Sequence, residues 1–168
     1  MLVLSLGSNI GDREHYLTTV QKMLNTYFDE PHIISHIYIT EPWGVADQPE
    51  YFNQVLAYQS PELAPEQILD IIQTIELSLG RERTQKWGAR TIDIDILMID
   101  DIILQTSRLM IPHPLMCDRL FVLKPLADIL PHSIHPVHKK KIVDLLSECR
   151  DTTNIQKHTQ LNIKINTP

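Results

Sequence analysis

Two carboxylates in an apolar run, directly after a cationic segment, are the residues of this chain most suited to chemistry. Asp93 and Asp95 are separated by one residue, and four cations precede them within residues 81–90: Arg81, Arg83, Lys86 and Arg90. Side chains on a strand alternate between its faces, so the two acids would share one face while the isoleucines beside them point into a core. Mg²⁺ takes carboxylate and phosphate oxygens together. The pattern therefore indicates a site for Mg²⁺ and a phosphate-bearing substrate.

The same two acids could instead form the solvated face of an edge strand. For an Asp-x-Asp pair alone, that is the default interpretation. The neighbouring cations favour the metal site, because they need anions while the carboxylates need a cation. A triphosphate with its metal ions would satisfy both, and a pair of metal ions can clamp a transferring phosphoryl group.

The composition sets bounds on the fold and on the partners. The chain has 168 residues, of which 43% are hydrophobic, which suits one domain with a single core. We assign that domain to residues 1–150 and interpret residues 151–168, which are mostly polar and aperiodic apart from a short predicted strand at 161–165, as a C-terminal tail. The formal net charge of −6 argues against a nucleic-acid-binding protein, which normally carries net positive charge or a dominant basic stripe.

The sequence lacks the features of secreted and membrane proteins. Cys117 and Cys149 are the only cysteines, too few for a disulfide framework and spaced unlike zinc ligands. No apolar run approaches about 18 residues, and the first residues do not have the regions of a signal peptide. We therefore expect a cytoplasmic protein with reduced thiols and no membrane partner.

Hydrophobic periodicity predicts the element order strand, helix, strand, strand, helix, strand. The strands are predicted at residues 2–6, 32–40, 51–59 and 92–96, and the second helix at 66–79. Asp12 suits the N-cap of the first helix, and Gly80 suits the C-terminal cap of the second. This order is that of a ferredoxin-like antiparallel sheet with packed helices on one face. We expect a single three-layer α+β domain.

Two other patterns do not indicate sites. Gly7 and Gly11 lack the spacing of a dinucleotide fingerprint or a P-loop, so ATP would have to be held in another way. His132, His135 and His138 follow the spacing H-x-x-H-x-x-H, but neighbouring prolines prevent a continuous helix that would align them. We therefore do not expect a metal site there.

Four segments of the chain are similar to motifs of one enzyme family. They are Leu6–Asn9, Thr40–Asn53, Gly80–Ile96 and Ile111–Phe121. The run R-T-I-D-I-D-I after W-G is the most specific of them. On these motifs the chain resembles the 6-hydroxymethyl-7,8-dihydropterin pyrophosphokinases of folate biosynthesis. The resemblance implies transfer of diphosphate from ATP to the hydroxymethyl group of 6-hydroxymethyl-7,8-dihydropterin, which gives AMP and the pterin diphosphate.

The resemblance also implies roles for individual residues. Asp93 and Asp95 would hold two Mg²⁺ ions, and Arg81 and Arg90 would close over the transferring phosphates. The positions that the family uses around ATP are Gln73, Glu76, Arg83, Lys86, Trp87, Ile96, Arg108, His113 and Arg119. The positions that it uses around the pterin are Gly7, Thr40, Pro42, Trp43, Tyr51, Asn53 and Phe121. Tyr51 and Phe121 would sandwich the ring, and Lys86 stands where the family usually has arginine.

Two other functions are compatible with parts of the sequence. A ferredoxin-like sheet with exposed aromatic residues is also how RNA-recognition modules stack bases, although the net charge and the missing RNP1 signature argue against that class. A two-metal phosphodiesterase would also use Asp93 and Asp95 but would need no pterin acceptor. For the pyrophosphokinase we expect two small-molecule substrates, no nucleic acid, and a monomer or weak dimer.

Overall fold

Three strands form the centre of the structure because most of their residues are buried and none is exposed. The computed structural model describes residues 1–42, 48–81 and 90–159. The three central strands are β1 (Leu2–Ser8), β4 (Tyr51–Tyr58) and β5 (Asp93–Ile99). Such continuous burial requires a layer on each face of the sheet, whereas a strand with one solvated face would alternate.

The sheet has the topology that the element order predicts. Its strand order is β5-β1-β4-β3-β8, with β2 also paired to β4, and every pairing is antiparallel. The short strands are β2 (Ile33–Ile34), β3 (Tyr38–Thr40), β6 (Leu104–Gln105), β7 (Met110–Ile111) and β8 (Ile155–Lys157). Strand β4 lies between the two strands that the first helix connects, and β1 lies between the two that the second connects. The ferredoxin-like arrangement is therefore confirmed.

Two helices pack on one face of the sheet. Helix α1 (Arg13–Phe28) begins after Asp12, whose side chain accepts a hydrogen bond from the His15 backbone as predicted. Helix α2 (Pro65–Ser78) is followed by Gly80, which adopts the left-handed conformation (φ 75°) that favours glycine after a helix. Their buried residues share one core cluster with β1, β4 and β5.

Helices also cover the opposite face of the sheet, beyond the one face that the ferredoxin-like element order accounts for. Helix α3 (Leu120–Ile129) and helix α4 (Ile142–Glu148) bury a second cluster against Val3, Val55 and Leu97. The second layer is required because β1, β4 and β5 carry apolar side chains toward both sides. The structure is thus the expected three-layer arrangement. Among the described residues, no helix combines the length and hydropathy that crossing a bilayer requires.

The predicted strand at 32–40 is interrupted in the structure. Ser35 separates β2 from β3, and its hydroxyl accepts the Val55 N–H at 2.9 Å in place of a backbone carbonyl. A side chain that bonds to the neighbouring backbone competes with the regular ladder. The hydrophobic pattern does not report this competition, which is why the sequence predicts one continuous strand.

Part of the expected C-terminal tail joins the sheet. Strand β8 (Ile155–Lys157) pairs with β3, and the His158 ring then packs at 4.8 Å from the Phe52 ring and 2.5 Å from a Glu14 oxygen. Only Ile155 is apolar in this strand, so periodicity gives no signal for it. The short strand predicted at 161–165 lies outside the described residues, and the boundary at residue 150 stays a prediction.

Helix α2 provides a matched pair of substitutions that tests this packing. Ile72 is 1% exposed in the first core, whereas Leu77, on the same helix, is 68% exposed. Ile72→Ala should lower the free energy of unfolding by about 2–5 kcal/mol through lost burial and a cavity. Leu77→Ala should change it by less than about 0.5 kcal/mol. Urea denaturation of both variants measures the difference, and equal losses would contradict the assigned orientation of the helix.

Candidate active site

The pairing of three strands places the predicted site residues in one row. Gly7 on β1 is opposite Asn53 on β4 and opposite Asp93 on β5, and Ser5 is opposite Asp95. The isoleucines at 92, 94 and 96 are buried in the first core on the other side of the sheet. The prediction that Asp93 and Asp95 share a face away from those isoleucines is confirmed.

A pocket lies over this row, next to the start of α3. Its lining residues are Ser5, Gly7, Thr40, Glu41, Tyr51, Asn53, Arg90, Asp93, Asp95, Arg119 and Phe121. Nine of these eleven belong to the set that the sequence analysis names, and Ser5 and Glu41 do not. A Cβ on Gly7 would lie 3.6 Å from the Asn53 oxygen and 4.0 Å from Asp93, so a larger side chain there would fill the space between them.

Asp93 is paired with two arginines. Arg81 Nη2 lies 2.6 Å from Asp93 Oδ1, and Arg90 Nη1 lies 2.5 Å from Asp93 Oδ2. Arg81 also pairs through Nη1 with Glu76, so one guanidinium bridges two acids. These contacts place both arginines that the resemblance assigns to the transferring phosphates directly at the predicted metal ligand.

Glu76 is buried, although it is a charged residue outside the apolar pattern of its helix. Its side chain is 2% exposed, and Oε1 accepts the Ile94 N–H of β5 at 2.8 Å. Burial raises the pKa of Glu76, an effect that Arg81 opposes. Helical spacing could not identify this residue as buried, because nothing in the sequence shows that its carboxylate reaches the backbone of a distant strand.

The charge on Asp93 disfavours ionisation of Asp95. Burial, and then the neighbouring Asp93, raise the pKa of Asp95 to about 7, while Arg119 acts in the opposite direction. A divalent cation between the two carboxylates would remove this repulsion. The donor set, two carboxylates on one face with the Ser5 hydroxyl beside them, consists of the oxygens that Mg²⁺ prefers. The residues present therefore fit Mg²⁺.

The Ser8-Asn9 pair at the end of β1 fixes the start of β5, a role that the sequence did not predict. Asn9 Oδ1 accepts the Arg90 N–H at 2.8 Å, and Ser8 Oγ donates to the Thr91 carbonyl at 2.5 Å. The Asn9 amide also donates to Gln48 Oε1 at 3.1 Å. These bonds set the backbone from which Arg90 reaches Asp93. Their only signal in the sequence is the family motif Leu6–Asn9.

Aromatic and amide groups form the other end of the pocket. Tyr51 and Phe121 line it from different elements, and Asn53 Nδ2 donates to Thr40 Oγ1 at 2.8 Å. The Thr40 hydroxyl then has its hydrogen to donate, and the Asn53 carbonyl oxygen remains an acceptor. The pocket thus combines two rings with a donor and an acceptor, as a flat heterocycle requires.

Comparisons with known proteins decide the family. The family model for 7,8-dihydro-6-hydroxymethylpterin-pyrophosphokinase matches residues 3–131. The chain belongs to this family. A protein of Aquifex aeolicus named 2-amino-4-hydroxy-6-hydroxymethyldihydropteridine pyrophosphokinase is 37% identical over 145 residues, which cover 86% of this chain and 89% of the relative. A protein of the same name from Bacillus subtilis is 42% identical over 127 residues, or 75% of each chain.

Solved structures share the fold at lower sequence identity. A crystal structure of wild-type Plasmodium falciparum HPPK-DHPS matches 88% of this chain with a TM-score of 0.70 and 17% identity. A crystal structure of HPPK-DHPS in complex with substrates gives a TM-score of 0.74 and 16% identity over 88% of this chain. The matched parts are 44% and 42% of those chains. These structures therefore show the fold of the present chain.

Several residues named for the ATP site lie outside the pocket lining. Arg108 is exposed and pairs with Asp70 at 2.5 Å, and Ile96 is buried in the first core, so only its backbone could face a nucleotide. The other predicted site residues that the structure describes but that do not line the pocket are Gln73, Glu76, Arg81, His113 and Pro42. Trp43, Arg83, Lys86 and Trp87 lie outside the described residues. The roles of all these residues stay predictions.

Two of the three spaced histidines, His135 and His138, lie close to Cys117. Potential ligand atoms of Cys117, His135 and His138 lie within 4.8 Å of one another, and His132 is not part of this group. However, His135 Nδ1 accepts the N–H groups of Val137 and His138 at 3.1 Å each. A neutral histidine ring that accepts hydrogen bonds at Nδ1 carries its own hydrogen on Nε2. Neither nitrogen of His135 therefore has a lone pair available for a metal ion. These contacts support a turn-forming role.

The raised pKa of Asp95 gives a pH-dependent prediction. An unfolded aspartate has a pKa of about 3.9, so the folded protein binds this proton more tightly and loses stability as pH rises from about 4 to about 7. Asparagine cannot ionise and avoids that loss. Asp95→Asn should therefore raise the melting temperature at pH 8, and its advantage should shrink toward pH 4.

Thermal denaturation in the presence of a chelator measures this effect. The matched control is Asp101→Asn, because Asp101 is exposed on the turn after β5 and its substitution should give no pH-dependent gain. An equal shift for Asp95→Asn at pH 4 and at pH 8 would contradict the buried charge.

Proposed function

We propose that this pocket performs the reaction of the family, in which diphosphate passes from ATP to the hydroxymethyl group of 6-hydroxymethyl-7,8-dihydropterin. The observation that carries the residue assignment is the row Asn53, Gly7 and Asp93 across three paired strands. It puts an amide for a heterocycle and a carboxylate for a metal ion on opposite sides of a glycine. The acceptor hydroxyl and the reacting phosphate can then meet above Gly7.

The pterin would occupy the aromatic end of the pocket. Tyr51 and Phe121 are its stacking walls, and Thr40 and Asn53 bind the polar edge of the ring through the donor and acceptor left by their mutual hydrogen bond. Burial raises the pKa of Tyr51, so its hydroxyl stays protonated at neutral pH and the ring stays uncharged. We also assign Gly7, Pro42 and Trp43 to this side on the family motif.

The phosphates would lie at the charged end of the pocket. Asp93 and Asp95 would hold two Mg²⁺ ions, which would supply positive charge to neutralise the triphosphate. Arg90 and Arg119 line the pocket beside these acids, and Arg81 adjoins them. Arginine suits phosphate because its planar fork donates two parallel hydrogen bonds.

The transfer needs positioning more than covalent help. The hydroxymethyl oxygen forms a bond to the β-phosphorus and releases its proton to solvent, the bond from that phosphorus to the bridging oxygen of the α-phosphate breaks, and AMP leaves. Arg81, Arg90 and Arg119 stabilise the negative charge on the transferring group, and the stacking walls hold the acceptor in line. We propose that Gln73, Glu76, Arg83, Lys86, Trp87, Ile96, Arg108 and His113 surround ATP, as their positions in the family imply.

The wider assignments are part of the same proposal. The chain acts in the cytoplasm on two small molecules, as a monomer or weak dimer, and residues 1–150 form its pyrophosphokinase domain. The deciding assay mixes protein, ATP, Mg²⁺ and the pterin and measures AMP. AMP that forms only with the pterin supports the transfer, whereas equal AMP without it would support a phosphodiesterase.

The metal assignment predicts severe losses from conservative substitutions. Asp93→Asn and Asp95→Asn should each lower turnover by at least about a hundredfold at saturating Mg²⁺, because a metal clamp supplies several kcal/mol to the transition state. Asp101→Asn, an exposed acid beyond the same strand, is the control and should retain turnover. Near wild-type turnover for either site variant would overturn the assignment.

The stacking walls predict selective losses of pterin binding. Tyr51→Ala and Phe121→Ala should each weaken pterin binding by about 1–3 kcal/mol, the usual value of stacking on an aromatic ring, and should change ATP binding much less. Tyr27→Ala is the matched control because Tyr27 is 51% exposed on α1. Titration calorimetry with each ligand makes the comparison. Equal losses for pterin and ATP would refute this pocket.

A further inference from the structure

Each carboxylate oxygen of Asp93 is engaged by a different arginine. Arg81 is 2.6 Å from Oδ1 and Arg90 is 2.5 Å from Oδ2. The side chains are only partly accessible, with 24% of Asp93, 15% of Arg81 and 21% of Arg90 exposed, so solvent screens these pairs less than surface pairs. A divalent cation that approaches Asp93 must therefore compete with a guanidinium at either oxygen.

Glu76 strengthens the hold of Arg81 on Asp93. The Arg81 guanidinium uses Nη1 for Glu76 and Nη2 for Asp93, which is possible because its donors form a rigid planar fork. Glu76 is itself fixed by the Ile94 N–H and is almost fully buried. The carboxylate of Glu76 thus positions Nη2 of Arg81 against Asp93. A lysine, with one ammonium group, could not span the two acids in the same way.

The backbone of both arginines is anchored, so their side chains can change partners without a large rearrangement. The Arg90 N–H is bonded to Asn9 Oδ1, and the Arg81 N–H is bonded to the Glu76 carbonyl at 3.1 Å. Guanidinium binds carboxylate and phosphate with the same paired geometry. A triphosphate in the pocket therefore offers both arginines an alternative anion within reach of the same backbone.

We propose that Arg81 and Arg90 are internal counter-ions of Asp93, which suppress binding of a divalent cation until a nucleotide phosphate draws them away. The inference rests on the proposed role of Asp93 as a metal ligand. By linkage, the phosphate that takes the arginines raises the affinity for the metal ion, and the metal ion raises the affinity for the nucleotide by the same factor. The free protein is thereby kept from holding Mg²⁺ in a site that has no substrate.

Binding of Mn²⁺ alone to the nucleotide-free protein tests the proposal without any turnover. Wild type, Arg81→Gln, Arg81→Lys and Arg90→Gln are titrated with Mn²⁺, and the free ion is measured by electron paramagnetic resonance. All three variants should bind Mn²⁺ at least about fivefold more tightly than wild type, within the usual range of coupling between sites. Arg150→Gln removes an exposed arginine that does not line the pocket and should match wild type.

The lysine variant separates competition from simple charge repulsion. Arg81→Lys keeps the positive charge but loses the bridge to Glu76, so wild-type affinity in this variant would overturn the proposal in favour of net charge alone. Unchanged affinity in Arg81→Gln and Arg90→Gln would also overturn it. Should Arg81→Gln fail to fold by circular dichroism, Arg90→Gln carries the test, because it leaves the Arg81–Glu76 pair in place.

A separate variant distinguishes failure of this inference from failure of the metal assignment. Asp93→Asn is titrated with Mn²⁺ in the presence of a non-hydrolysable ATP analogue. Loss of protein-dependent binding there supports Asp93 as a ligand, on which the inference rests. Wild-type affinity in Asp93→Asn would show that Asp93 is not a metal ligand. It would also overturn the counter-ion role, whatever the arginine variants show.

Discussion

The close approach of two carboxylates on one strand face is the constraint on which the site depends. A β-strand fixes the spacing of Asp93 and Asp95, and the pairing of β5 with β1 prevents them from moving apart. Their charges must then be balanced by neighbours, because the repulsion between like charges this close is costly. The arginines and the cation that the site fits offset that cost, whereas Glu76 adds a further negative charge and acts by positioning Arg81.

Helices α3 and α4 cover only part of the sheet face that carries the two aspartates. The face that carries the two aspartates also carries Val3, Val55 and Leu97, over which α3 and α4 form the second core. Helix α3 begins at Leu120, so Arg119 and Phe121 lie at the rim where the cover ends. The same face is therefore a core along most of its length and a polar pocket at one end. The helix start supplies one cation and one aromatic wall to that pocket.

The sequence predicts most of the sheet and much of the pocket because both depend on local patterns. Alternation reports the shared face of Asp93 and Asp95, and the family motifs report Thr40, Asn53 and Phe121. The burial of Glu76 and the bonds of Asn9 depend on residues far away along the chain, at Ile94 and Arg90. Strand β8 has one apolar residue, and its position is set by hydrogen bonds to β3 that no hydrophobic pattern encodes.

Strand β8 has a further consequence for the behaviour of the protein in solution. Without it, β3 would present a row of unpaired N–H and C=O groups next to Thr40 at the border of the sheet, and such borders recruit strands from other molecules. The three residues of β8 close that border, and the new border they create is short and ends in the exposed Lys157. A charged, short border is a poor template for intermolecular pairing. The segment after α4 thus covers a sheet border that would otherwise be open to strand pairing, beside Thr40 of the pocket.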